Sequence, residues 1–388
     1  MEYERKLTES IQGIRPSGIR RFFDIVNEMD NVISLSVGEP DFKTPWHVRE
    51  AGIRSLELGK TWYTPNRGFR ELREEICRFL YRRYQLTYDP DTEVVVTVGG
   101  SEAIDIALRC LCGAGDEVLI PQPSFVCYEP LTVMAGATPV TIETKAENAF
   151  RLTAEELEQA ITDRTKLLVL PYPNNPTGAI MERDDLVAIA RVIEKHDLMV
   201  LSDEIYSELT YGGKNHVSIA SIDGMRERTV VINGFSKAYA MTGWRLGYAA
   251  APVPIAEMLT KLHQYCIMSS PTTAQYAAIE ALRHGDQDIA GMRSEYDMRR
   301  RFVVGTLCDM GLDTFTPEGA FYAFPCIRST GLSSEAFCTR LLHEKRVALV
   351  PGSAFGDSGE GYVRLSYSYS LKHLSEALSL IEAFIREL

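Results

Sequence analysis

The sequence predicts an α/β protein: a large domain with a mainly parallel seven-stranded sheet between helices, plus a smaller α+β domain. Two observations lead there. Through the middle of the chain, short β-branched runs alternate with longer amphipathic stretches, an order that favours parallel strands covered by helices on both faces. After about residue 285 this alternation stops, and a long helical stretch gives way to shorter elements. The chain has 388 residues, 45% of them hydrophobic, which leaves room for two or three units of roughly 150 residues.

Taken in order, the candidate strands cover 93–98, 117–120, 139–142, 166–170, 199–202, 229–232 and 246–249. Runs such as Val94-Val95-Val96 are wholly apolar and of strand length. Helical patterns over 103–112, 183–196 and 253–265 lie between them, and in the first Ile104, Ala107, Leu108 and Leu111 recur at helical intervals. A long helix is expected over 291–310, and an amphipathic helix over 371–388 closes the chain. Between them, Thr316-Pro-Glu-Gly319 and the Gly-rich run 351–356 read as turns. The expected division is residues 46–285 as the large domain, with 1–45 and 286–388 forming the small one.

Composition narrows the function. Asp and Glu number 53 against 41 Lys and Arg, giving a net charge of −12. Such a surface repels phosphate backbones and anionic lipid, so neither nucleic acid nor a membrane is expected as a partner. No apolar run reaches the length of a membrane span, and the charged N-terminus lacks the apolar centre of a signal peptide. Eight cysteines lack zinc-site spacing and read as buried thiols of a reducing compartment; seven histidines form no ligand cluster. A soluble, cytoplasmic, metal-free protein is the expectation.

Five segments carry chemistry. The first is Gly234-Phe-Ser-Lys-Ala-Tyr-Ala-Met-Thr-Gly-Trp-Arg-Leu-Gly247. Taken alone, Lys237 reads as a solvated surface charge. Its company argues otherwise: Ser236 and Arg245 can hold a phosphate, the arginine bidentately, and an amine beside a bound phosphate suits a Schiff base with a phosphorylated aldehyde. In the second, strand 93–98 runs into Gly99-Gly100-Ser101-Glu102, where glycines let the backbone approach an anion and a helix start presents free N–H groups. This is neither GxGxxG nor a P-loop, so nucleotide binding is poorly supported.

The third segment sets Asp203 at the carboxyl end of an apolar strand, with Tyr206 three residues on. A lone aspartate there reads as a helix N-cap; beside an aromatic nitrogen base it would keep that nitrogen protonated. The fourth, Pro171-Tyr-Pro-Asn-Asn-Pro-Thr-Gly178, is a rigid loop in which Asn175 can donate to a ligand oxygen. In the fifth, Tyr362, Arg364 and Ser366 alternate as a strand would, on one face. Arg364 suits a substrate carboxylate if that face meets the site.

Together these segments resemble the class I/II aminotransferases, fold-type I pyridoxal-phosphate enzymes, in family order from about Ser36 to Ser366. Leu35-Ser-Val-Gly-Glu-Pro-Asp-Phe42 and Tyr63-Thr-Pro-Asn-Arg-Gly68 are similar to family landmarks, and the lysine segment matches throughout. The resemblance implies that Lys237 forms an aldimine with pyridoxal 5′-phosphate and then serves as the proton-transfer base, for which its pKa must fall from about 10.4. It also implies that Gly100, Ser101, Ser236 and Arg245 hold the phosphate, that Phe125 stacks on the ring, and that Asp203 pairs with the ring nitrogen. Asn175 and Tyr206 would contact the phenolic oxygen. Arg364, Asn175 and the backbone of Gly38 would bind the substrate α-carboxylate. Glu102 is counted with the cofactor loop, its side chain expected to point away. Tyr63 would reach the phosphate of a neighbouring subunit, so a homodimer with shared sites is implied, and 46–285 would be the cofactor-binding domain.

The implied reaction moves an amino group from an L-amino acid to a 2-oxo acid, 2-oxoglutarate by default, with an aromatic amino acid or aspartate as donor. Alanine and a diaminopimelate derivative stay open as donors. A C–S β-lyase of cystathionine-like substrates is the alternative, since its cofactor residues would look the same. A non-catalytic ligand-sensing role, as in transcription regulators that reuse this fold, lacks the added DNA-binding domain. Arg15, Arg20 and Arg21 lie in a segment that could cover the site, although surface charge is their simpler role, and Tyr322 reads as core packing.

Overall fold

In the computed structural model, which describes residues 3–14, 16 and 29–388, the central element is a seven-stranded sheet. Its strands in chain order are β1 (Val94–Thr97), β2 (Glu117–Gln122), β3 (Thr138–Glu143), β4 (Thr165–Leu170), β5 (Met199–Asp203), β6 (Thr229–Gly234) and β7 (Gly247–Ala250). They lie side by side as β1-β7-β6-β5-β4-β2-β3. The pairings between β6, β5, β4, β2 and β3 are parallel, whereas β7 runs antiparallel to both neighbours. Each expected strand is present, shifted by a residue or two.

The buried strands are continuously apolar because helices cover both faces. On one side, helices Gly99–Leu111 and Val253–Cys266 pack Ile104, Ala107, Leu108 and Leu259 on Val95, Val118, Leu201 and Ile232. On the other, helix Arg183–Lys195 contributes Leu186, Ile189 and Ile193 against Leu168 and Val200. Helix Arg70–Tyr84, outside the sequence reading, closes the β1 edge with Leu72, Ile76 and Leu80 against Val94 and Val96.

The rest of the chain is built differently. Tyr322–Ala323, Val363–Ser366 and Val350–Pro351 form a three-stranded antiparallel sheet, and Ile33–Ser34 pairs parallel to Val347–Ala348. Helices Asp286–Asp309, Ser334–Lys345 and Leu371–Arg386 meet these strands in a core containing Val303, Phe337, Leu341, Val347, Leu365 and Phe384. The N-terminal segment around Leu35 is thereby stitched to the C-terminal elements.

One expectation needs correcting. All eight cysteines are free thiols, but only Cys112 and Cys338 are buried, while Cys266 and Cys308 are exposed. Scattered spacing says nothing about which helix face a residue takes, so burial did not follow from it. Arg15, Arg20 and Arg21 lie outside the described residues. No helix among the described residues is long and apolar enough to cross a membrane.

Candidate active site

The carboxyl ends of the parallel strands open onto a cavity of about 390 Å³. Its walls are the segments that follow those strands: Gly100 and Ser101 after β1, Phe125 and Tyr128 after β2, and Asn175 after β4. Asp203 and Tyr206 come from the end of β5, and Ser236 and Lys237 from that of β6. Arg245 precedes β7, and because β7 is antiparallel its start lies at this same edge. Gly38 and Arg364 enter from the small sheet side.

Lys237 Nζ donates to the carbonyl oxygen of Gly38 at 2.5 Å and lies 5.7 Å from the ring centroids of Tyr206 and Phe321. Burial pushes its pKa down to about 8; Arg364 and Arg245 add to that fall, while Glu39 and Asp203 oppose it. An amine in this position is neutral in part at neutral pH, unlike a surface lysine.

Asp203 is buried, and burial raises its pKa. Hydrogen bonds from Tyr128 Oη to Oδ2 at 2.7 Å and from the Ile205 N–H to Oδ1 at 3.2 Å pull the other way. Tyr128 also meets Phe125 edge-on, with ring centroids 6.2 Å apart. No motif in the sequence singles out Tyr128. A buried phenol needs a partner, but nothing local in the sequence names Asp203, which is 75 residues away.

Arg364 is buried on strand Val363–Ser366. Its Nη1 donates to Asn175 Oδ1 at 2.9 Å and its Nη2 to the Ser36 carbonyl at 2.5 Å. Its Nε, although buried, has no partner among the described residues. The guanidinium carbon stands 4.5 Å from the ring centroid of Tyr322. Tyr322 is fully buried, yet its hydroxyl shares a 2.7 Å hydrogen bond with Tyr206 and borders the cavity, so it does more than fill the core. A Cβ on Gly38 would come within 2.5 Å of that hydroxyl, which explains the glycine.

Two expected residues lie elsewhere. Glu102 does not border the cavity: its carboxylate accepts from the Val98 N–H and pairs with His263 Nδ1 at 2.6 Å, behind the loop. Its side chain thus takes the direction expected of it, away from the cavity. Tyr63 is 77% exposed and also stands outside the cavity of its own chain.

Residues 30–381 match the family model for aminotransferase class I and II. The chain belongs to that family. An aspartate aminotransferase of Pyrococcus abyssi is 46% identical, and an aromatic-amino-acid aminotransferase of Thermococcus litoralis 45%, each match covering 98% of both chains. The solved structure of a Pyrococcus protein designated A1 superposes with a TM-score of 0.96 at 46% identity, covering 98% of both chains. This chain is therefore an aminotransferase acting on amino and 2-oxo acids, with pyridoxal 5′-phosphate as cofactor. The comparisons do not favour the C–S lyase alternative.

Proposed function

We propose that this aminotransferase uses Lys237 as its proton-transfer base, Arg364 as its α-carboxylate anchor, and an aromatic amino acid as its preferred donor with aspartate second. The observation that carries the reading is the partly buried amine of Lys237, held on the Gly38 carbonyl and lining one cavity with the guanidinium groups of Arg364 and Arg245.

The residues present fit the cofactor. Ser101, Ser236, Arg245 and the N–H groups opening helix Gly99–Leu111 make a donor set for a phosphate dianion. The cradle is tight: a Cβ on Gly99 would lie 2.7 Å from Arg245 Nη2, and one on Gly247 would lie 2.7 Å from the Gly100 nitrogen. Asp203 offers a buried carboxylate to a protonated ring nitrogen, Phe125 a stacking face, and Tyr206 a phenol for the ring oxygen. When bound, pyridoxal phosphate supplies an electron-accepting ring for the substrate Cα and a carbon that carries the amino group between half-reactions.

The chain's own part is positional and protonic. Arg364, whose Nε has no partner among the described residues, keeps donor capacity for an incoming carboxylate, while Asn175 holds its Nη1 in place. Anchored there, the substrate presents Cα to Lys237, whose neutral amine takes the Cα proton and releases it again as an ammonium. Asp203, held by Tyr128, keeps a fixed negative charge that would pair with a protonated ring nitrogen.

Donor choice follows from the walls. Tyr322 packs beside Arg364, Phe125 and Val37 line the same cavity, and among the described lining residues the only cations are Lys237, Arg245 and Arg364. A flat apolar side chain suits this lining better than a second carboxylate, and both aromatic and aspartate aminotransferases occur among the relatives. We take 2-oxoglutarate as acceptor.

A homodimer with shared sites, residues 46–285 as the cofactor-binding domain, and a cytoplasmic setting complete the reading. Supporting the dimer, Trp62 and Tyr63 on one loop are exposed, as are Tyr265 at the end of helix Val253–Cys266 and Met268 just beyond it, and the two stretches join where Asn66 Nδ2 donates to the Met268 carbonyl at 2.7 Å.

The test is a single half-reaction. The loaded protein is mixed with one amino acid and no oxo acid, and the released 2-oxo acid is counted. Tyrosine or phenylalanine should release one equivalent per subunit faster than aspartate does. Pyruvate and ammonia from a cysteine derivative would point to the lyase instead, and no oxo acid from any donor would sink the assignment.

A further inference from the structure

Helix Gly99–Leu111 begins without a side-chain cap: Val98 stands at the N-cap position and has no oxygen to offer. The orphan donors of this helix start are therefore left to other partners. One of them is met from behind. Glu102 folds back one turn, and its Oε2 accepts the Val98 N–H. Its other oxygen, Oε1, meets Nδ1 of His263 at 2.6 Å. His263 belongs to helix Val253–Cys266, is wholly buried, and has no partner for Nε2 among the described residues. A third contact fixes the same turn, with Thr97 Oγ1 donating to the Gly99 carbonyl at 2.9 Å.

These contacts share one geometric result. The carboxylate occupies the rear of the helix start, so the N–H groups of Gly100 and Ser101 face the cavity unclaimed by a cap. The turn has little slack, since Gly99 already packs against Arg245 and Gly100 against Gly247. Glycine at both positions removes side-chain restraint, so something else must hold the loop still before a ligand arrives. Burying a carboxylate beside a histidine is costly unless the pair is well made. A pair spanning 161 residues, largely shielded from solvent and outside the cavity lining, has an effect through what it holds.

We propose that Glu102 and His263 form a positioning brace that preorganises the Gly99–Ser101 turn for the cofactor's phosphate. The brace contacts no reacting atom. It acts through the Val98 N–H, and it rests on the reading of this turn as part of the phosphate cradle. Its signature is selective: it strengthens binding of the phosphorylated cofactor and leaves the rest of the ring's interactions alone.

The experiment compares dissociation constants of the cofactor-stripped protein for pyridoxal 5′-phosphate and for pyridoxal, which lacks the phosphate. The ratio of the two constants is the phosphate preference. Glu102→Ala and His263→Ala should each cut that preference by about 10-fold, in the range that supporting partners contribute at metal sites, with pyridoxal binding unchanged. Glu102→Gln keeps an oxygen for the Val98 N–H and an amide to meet His263, so it should recover most of the loss and serves if the alanine variants fold poorly. The phosphorus NMR shift of bound cofactor should move in the alanine variants and return in Glu102→Gln. Folded variants with the wild-type preference would overturn the brace, as would equal losses for both ligands, which mark general damage. A wild-type protein without any phosphate preference would overturn the cradle reading itself, and the brace with it.

Discussion

Tyr128 and Asp203 are joined by a 2.7 Å hydrogen bond in which the phenol donates to a carboxylate oxygen, and both groups are buried. The bond does two things at once. It satisfies a phenol that would otherwise be orphaned, and it opposes the rise in the Asp203 pKa that burial causes. It also turns the carboxylate, leaving Oδ1 to the Ile205 N–H.

Tyr128→Phe should therefore weaken both catalysis and the fold. A hydrogen bond to a charged group contributes about 1.5–3 kcal/mol, so kcat/KM is expected to drop roughly 10- to 100-fold. Steady-state kinetics and a melting curve of the variant check this, and an unchanged kcat/KM would remove Tyr128 from the supporting structure.

Lys237 should make the cofactor-free protein less stable at neutral pH than at high pH. Its folded pKa, about 8, lies below its ordinary value of 10.5, so between those pH values the unfolded chain binds more protons than the folded one. Stability then rises with pH across that window, because the cost of burying the ammonium disappears as the amine deprotonates. Lys237→Met should be more stable than the parent at pH 7, with the gap closing from about pH 8 to 10.5 in urea denaturation. The same variant should lose at least about 100-fold in transamination rate.

Arg364→Lys keeps the charge and loses the fork. The expected loss is about 2 kcal/mol, or roughly 30-fold in kcat/KM, appearing mainly in KM for the amino acid. Competition by a simple carboxylate inhibitor measures the same defect, and wild-type inhibition would show that Arg364 is not the anchor.

Gly99→Ala should be poorly tolerated. Its φ is +75°, and the new Cβ would sit 2.7 Å from Arg245 Nη2. A penalty of more than about 1 kcal/mol is expected in stability, together with weaker cofactor binding. Thermal melts with and without pyridoxal phosphate separate the two effects.

Mixing two crippled variants tests whether sites are shared. If Tyr63 serves the neighbouring subunit, a heterodimer of Tyr63→Ala with Lys237→Ala has one doubly damaged site and one intact site. Activity should then appear on mixing and subunit exchange. If Tyr63 serves its own chain, every site keeps one lesion and mixing restores nothing.

The sheet was legible because most of its strands are buried on both faces and so write themselves as apolar runs, as at β1 and β5. The lysine segment was legible because Ser236, Lys237, Arg245 and three glycines fall in one short stretch of sequence. The contacts that finish the site join distant positions instead. Tyr206 meets Tyr322 across 116 residues and Arg364 meets Asn175 across 189, and no periodicity encodes such pairs. Helix Arg70–Tyr84 is hard to read from sequence although Leu72, Ile76, Phe79 and Leu80 carry the helical period, because its many arginines and glutamates dilute the apolar signal.

The reversal of β7 has one more consequence. Because β6 and β7 are paired antiparallel with Gly234 opposite Gly247, Lys237 and Arg245 both lie in the loop that joins this pair, and its two ends are fixed by the last rung. The base of that loop is set by local backbone pairing and not by how the outer helices pack. Drift in the helical shell can thus retune how stable the enzyme is while its amine and guanidinium stay in register.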